Sequence, residues 1–162
     1  MICPGKSGIC GTLRSVDWRE QAGFSLLEMM VALVVAGILF FVALPTYQQA
    51  VYKSTRMAAR ATLLEVIARQ QQYFVNYKRY ASDLAALGLP QPYHVDKQGG
   101  ASTPANAAYR ISLELTQGHY TGALAAPVNR QAGDRNCMAF SLSRLGVRAV
   151  SGTASARPGE CW

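Results

Sequence analysis

From Phe24 to Leu44 the chain carries 21 residues and a single charge, the carboxylate of Glu28. No other feature limits the fold as much. A helix rising ~1.5 Å per residue over this stretch is about 31 Å long, enough to cross a hydrocarbon core of ~30 Å. A carboxylate inside such a span costs roughly 2.5–3.5 kcal/mol on insertion scales, so it calls for a partner charge. The Ala22-Gly23-Phe24 junction just upstream is the nearest place from which that charge can come. An ordinary secretory signal fits poorly, because its apolar region runs about 7–15 residues and holds no buried acid. A plain N-terminal anchor explains everything here except Glu28.

The 162-residue chain leaves room, beyond this segment, for one small globular domain. Lys6, Arg14 and Arg19 precede the span, and cations there favour leaving that end in the cytoplasm. Lys53, Arg56 and Arg60 follow it, so charge alone decides the orientation only weakly. The formal charge is +7, but after residue 77 nine basic residues face five acidic ones, leaving +4 with no dense run. A solvated surface of mixed charge is expected from that scatter, not a dedicated polyanion site. Cys3 and Cys10 lie before the apolar segment and Cys137 and Cys161 far after it. If the head lies outside the cytoplasm, Cys137 and Cys161 are its only two cysteines and pair with each other. Closing that loop is worth about 3 kcal/mol in the chain-entropy model. His94 and His119 are isolated and there is no CxxC spacing, so neither a metal site nor a cofactor is expected. No paired acid, nucleophile–base spacing or phosphate loop suggests an enzyme.

The helical signal continues past the apolar run, since no Gly or Pro occurs from Thr46 to Tyr77. Leu63, Val66, Ile67, Gln70, Phe74 and Tyr77 fall within about 100° of one another at helical spacing, which predicts one packing face. Glu65 and Arg69 form an i,i+4 pair on the opposite side. A helix over residues 24–77 follows, with residues 24–44 as its membrane-spanning part. Pro45 removes a backbone hydrogen bond and predicts a kink there, and Gly37 is a second weak point. The segment between them would bend or melt under a modest load. Residues 80–108 are rich in Gly, Pro, Ser and Asn, with a short helical stretch at Ser82–Leu87. Four antiparallel strands are expected beyond it: Tyr109–Leu115, His119–Ala126 after a Gln117-Gly118 turn, Asn136–Arg144, and Val147–Val150. Four strands cannot hide both faces, so the long helix is their natural cover and the fold class is α+β. Residues 151–162 read as a loop.

Gly23-Phe24-Ser25-Leu26-Leu27-Glu28, with an apolar run ending in Pro45, resembles the type III prepilin signal of type IV pilins. The resemblance extends through Tyr73-Phe-Val-Asn-Tyr-Lys-Arg-Tyr-Ala-Ser-Asp-Leu84, Leu87-Gly88, and the terminal Cys137, Gly146 and Cys161-Trp162. The Tyr80-Ala-Ser-Asp-Leu84 stretch with the Cys161-Trp162 end is similar to the PilE-type minor pilins. The resemblance implies the type IV pilin fold, with residues 1–23 a leader that is removed, a long N-terminal helix over 24–77, and a globular head over 78–162. A prepilin peptidase would cut between Gly23 and Phe24 and methylate the new amine of Phe24. Glycine suits the cut because a residue without a side chain lets a protease approach the backbone closely. Glu28 would then pair with the Phe24 amine of a neighbouring subunit, or with its own one helical turn away; the two are compatible. Joining two charges that are each unfavourable in lipid removes much of both penalties, so the acid becomes an assembly signal. The loop bounded by Cys137 and Cys161 would be an exposed surface region, whose Arg144, Arg148 and Arg157 mark where partner contacts would fall. Implied partners are other pilins, the peptidase and the inner-membrane assembly machinery. The implied location is the inner membrane, single-pass with the head in the periplasm, and then the extracellular filament.

The expected function is that of a structural subunit, a minor pilin incorporated into a pilus or priming its assembly, in the service of twitching motility or adhesion. A pseudopilin of a type II secretion system shares the leader, Glu28 and the long helix. The major pseudopilin generally uses a calcium loop and lacks a terminal disulfide, whereas this chain offers Asp134 alone in that stretch and has Cys137 and Cys161. A major pilin is a third option. A DNA-binding pilin for natural transformation is compatible with the +4 head, yet no basic cluster interleaved with aromatics supports it. Two departures from the pattern concern the leader: 23 residues is long, and Ala22 stands where Lys or Arg is usual. These suggest translation starting near Leu13 or Val16, which would also remove Cys3 and Cys10.

Overall fold

A computed structural model of the chain describes residues 25–162, and the expectations for Gly23, Phe24, Cys3 and Cys10 lie outside these. Two compact units divide the chain, one reaching to Phe41 and the other running from Val42 to Trp162. The helix α1, Leu26–Tyr77, contributes to both and is helical through Gly37 and Pro45. In the first unit its apolar side chains are exposed, among them Leu33, Ile38 and Phe40. Among the described residues, α1 is the one helix long and apolar enough to cross a membrane.

In the second unit an antiparallel meander of five strands follows the helix, in the order β1-β2-β3-β4-β5. These are β1 Tyr93–Val95, β2 Tyr109–Thr116, β3 His119–Pro127, β4 Phe140–Ser143 and β5 Arg148–Val150. The sheet therefore has one strand more than the four expected. Three residues between Pro92 and Asp96 are too few to display alternation, and β1 exists because it pairs with the start of β2, Tyr93 opposite Ile111. The β2–β3 hairpin turns at Gln117-Gly118 as expected. Both residues have positive φ, 53° and 79°, which matches the twist of the flanking strands. Near that turn Glu114 faces Gly122 and Leu115 faces Tyr120, so Thr121 is bulged out, and its hydroxyl donates to the Glu114 carbonyl.

The expected third strand, Asn136–Arg144, shortens to Phe140–Ser143. Met138 has φ 47°, which no strand residue can have, and the backbone on either side of it is bonded to residues 151–154. Ser151, Gly152 and Ala154 donate their N–H groups to the carbonyls of Ala139, Cys137 and Asn136. The helical stretch at Ser82–Leu87 is a single 3-10 turn, Ala85–Leu87, with the Asp83 carboxylate accepting the Ala86 N–H.

One face of the sheet packs on the C-terminal part of α1. Leu63, Val66 and Gln70 are buried as the spacing predicts and Ile67 is half-buried, whereas Phe74 and Tyr77 are exposed. The buried face instead extends toward the N-terminus through Thr55, Arg56, Ala58, Ala59 and Thr62. Across from it lie Tyr109, Ile111, Ala123, Ala125, Phe140 and Leu142. Gln70 is fully buried because its amide satisfies both backbone groups of Ala81, at 2.9 Å each, and so pins the loop that leaves the helix. Phe74 stacks on Tyr80, which in turn meets Tyr120. The Glu65–Arg69 pair forms at 2.8 Å on the exposed side, and Arg69 also donates to the Leu87 carbonyl.

A second polar group lies deeper. Arg56 meets Asp134 through two parallel hydrogen bonds of 2.7 Å, with side-chain exposures of 10% and 2%. Gln131 donates to the Tyr109 hydroxyl at 3.0 Å and lies 3.4 Å from the same carboxylate. The hydrogen bonds that it donates to Asp134 hold the Arg56 guanidinium above its ordinary pKa, and burial pushes the Tyr109 phenol well up from its own. Both groups therefore keep one protonation state throughout the working pH range. Three residues beyond Asp134, Cys137 joins Cys161 in a disulfide with Cα atoms 5.8 Å apart, and both half-cystines are buried.

Two substitutions test these ties. Asp134→Asn leaves a buried guanidinium without its counter-charge and should lower unfolding stability by about 3 kcal/mol in denaturant melts. Arg56→Met combined with Asp134→Leu should recover much of that loss; equal losses in the single and double variants would show that the charge pair is not the cause. Cys161→Ser opens a loop with a sequence separation of 24 residues and should cost about 3 kcal/mol, read as a lower denaturation midpoint. An unchanged midpoint would mean that packing alone holds the C-terminal loop.

Candidate functional site

Two separate regions carry the residues that the sequence singles out. The first is the start of α1. Glu28 lies in the first helical turn and is exposed, where the positive end of the helix dipole favours an anion. The Met29 N–H donates to the Ser25 carbonyl at 3.1 Å, so the helical bonding is in place around the carboxylate. Gly37 is exposed as well, and an added methyl group there would meet no atom within 4 Å. Among the described residues no contact requires a glycine at that position. Glycine in a helix interior costs about 1 kcal/mol relative to alanine.

The second region lies between the two half-cystines. It contains β4, β5, the hairpin joining them, and a terminal 3-10 turn, Pro158–Glu160. Trp162 closes it: the indole N–H donates to the Ala149 carbonyl at 3.1 Å, and the ring meets Phe140 edge-on at 5.6 Å. The Arg148 guanidinium lies over the same ring, 5.5 Å from its centre, an attractive cation–π geometry. Arg157 is paired with Glu160 at 2.7 Å, while Arg144 and Arg148 make no ion pair among the described residues. From Arg135 to Gly159 the sequence contains no Asp or Glu. Arg135, Arg144, Arg148 and Arg157 therefore share a stretch free of acids, a clustering along the chain that net charge conceals. Among the described residues no group of three His, Cys, Asp or Glu is placed to hold a metal ion. Asp134, the acid weighed against a calcium loop, is consumed by Arg56.

Residues 18–44 match the family model described as the prokaryotic N-terminal methylation motif. Residues 45–141 match the model described as "Type IV minor pilin ComP, DNA uptake sequence receptor". Among curated proteins, a fimbrial protein of Neisseria meningitidis serogroup A is 29% identical over 108 residues, covering 65% of this chain and 56% of the relative. The type IV major pilin protein PilE1 of Neisseria gonorrhoeae is 31% identical over 74 residues, 44% of each chain. The chain spans about half the length of these relatives. With a methylation motif running into a minor-pilin domain, and with a long helix covering an antiparallel sheet closed by a C-terminal disulfide, the chain belongs to the type IV pilin family, in the minor pilin group described by the ComP model.

Proposed function

We propose that this chain is made as a precursor, cut between Gly23 and Phe24 by a prepilin peptidase, methylated on the Phe24 amine, and built into a type IV pilus as a minor subunit. The observation that carries this reading is the abutment of two matches, the methylation motif ending at residue 44 and the pilin domain beginning at residue 45. Before assembly, residues 24–44 anchor the subunit in the inner membrane with the head in the periplasm, where the Cys137–Cys161 bond can form. Glu28 then draws the subunit into the filament, because the methylated amine of a neighbour removes the penalty of a lone carboxylate in hydrocarbon. Gly37 and Pro45 bound the stretch of α1 that bends or melts as the subunits pack. Other pilins and the inner-membrane assembly machinery are the partners. The acid at residue 28 gives the test. Glu28→Val should leave processing intact on a blot yet reduce the subunit in sheared filaments at least tenfold; normal incorporation would refute its assembly role.

A second activity is favoured by the description of the matched family, a receptor for a DNA uptake sequence. In this chain Arg135, Arg144 and Arg148, exposed and in no ion pair among the described residues, are the side chains best suited to phosphates. Lysine and arginine contacts release counter-ions from the duplex, so the logarithm of affinity should fall linearly with that of salt, with a slope of about 0.9 per phosphate contacted. Gel shifts of the full-length protein in detergent, across a salt series, should show that decline. Absence of any shifted band at low salt would remove the DNA reading and leave the structural role untouched.

A further inference from the structure

Resting on that DNA reading, we propose that the β4–β5 hairpin is an apolar wedge, with Leu145 at its tip entering the stack of a DNA duplex while Arg144 and Arg148 hold the phosphates on either side. The hairpin is tight and its own bonds fix it. The Ser143 N–H donates to the Val147 carbonyl at 3.0 Å, and the Gly146 N–H donates to the Ser143 carbonyl at 2.9 Å. The Ser143 hydroxyl accepts the N–H groups of Leu145 and Val147 at 3.3 and 3.1 Å. Gly146 supplies the positive φ, 83°, that a three-residue hairpin loop requires. The Arg144 N–H donates to the Thr121 carbonyl at 2.9 Å, which ties the loop to β3.

On this rigid mount Leu145 is 81% exposed and Val147 63% exposed. Turn tips ordinarily carry Gly, Asn, Asp or Ser, whose polar groups suit water, so two aliphatic side chains there lack a reason within the chain. The flanking positions are both cationic, and Arg148 is held over Trp162 with the edge donors of its guanidinium free to meet an anion. An apolar point between two cations is complementary to a polymer with anionic edges and an apolar interior. A DNA duplex is such a polymer, and proteins that bend it insert single Leu, Ile, Met or Phe side chains between base steps. A lipid surface offers the same pair of chemistries, but stable binding there needs a broad apolar face, and two side chains supply too little area. One side chain is enough to open a base step.

The test uses the full-length protein in detergent and a short mixed-sequence duplex carrying a fluorescent adenine analogue that brightens on unstacking. Binding by the unaltered protein should raise the emission. Leu145→Ser, at an exposed position that leaves the fold intact, should abolish the rise and weaken binding about tenfold while keeping the salt slope. Arg144→Gln with Arg148→Gln should reduce the salt slope by about two phosphate contacts. Duplex binding without brightening, or brightening that survives Leu145→Ser, overturns the wedge while the DNA reading stands. No duplex binding at all overturns both. Capture by phosphatidylglycerol vesicles that is lost with Leu145→Ser, while DNA binding is unchanged, would assign the hairpin to lipid and overturn the wedge.

Discussion

The sheet has one face that must be kept from water, and the part of α1 from Thr55 to Gln70 is what covers it. Much of what distinguishes the head follows from this constraint. A lone meander of five short strands would leave Tyr109, Ile111, Ala123, Ala125, Phe140 and Leu142 in solvent, and two-faced exposure is what sheets of this kind avoid by taking a helix. Apolar contact alone would let the helix slide along the sheet. Two polar clamps oppose sliding at opposite ends of the interface, Arg56 on Asp134 and Gln70 on the backbone of Ala81. Neither need add much net stability, since burying charge costs nearly what pairing returns. Both penalise any other register, because a shifted helix would leave a buried guanidinium or amide without partners.

The Arg56–Asp134 clamp also sits beside the disulfide, with Cys137 three residues past Asp134. The helix, the loop before β4 and the chain terminus are thus joined by a charged hydrogen-bonded pair and a covalent bond. The base of the segment between the half-cystines is thereby fixed to the helix.

Much of this was legible in the residues, and the failures have physical causes. The single acid in the apolar run, the helical spacing of Leu63, Val66 and Gln70, and the alternation over β2 are local signals that a periodic pattern reveals. β1 was hidden because its three residues are a strand only through pairing with β2. The third strand was overdrawn because alternation at Asn136–Ala139 cannot report the positive φ of Met138 or the bonds to residues 151–154. The Arg56–Asp134 pair joins positions 78 residues apart, and no spacing rule links a helical arginine to a loop aspartate at that distance. Phe74 and Tyr77 share the helical phase of the core yet are exposed, and their rings meet neighbouring tyrosines instead. The tip of the β4–β5 hairpin gave its turn residues correctly, but two exposed aliphatics become visible as an anomaly only when the fold shows that nothing covers them.

At the centre of the proposed function stands the carboxylate of Glu28 in an apolar helix, which assembly would supply with a partner amine that exists only after a cut before Phe24. Mass spectrometry of pili sheared from cells and stripped of membrane reads the cut and the assembly together. The account predicts a peptide of this chain beginning at Phe24 and carrying one added methyl group at its N-terminus. Peptides that retain Gly23, or filaments from which the chain is absent while it accumulates in the membrane, would contradict it.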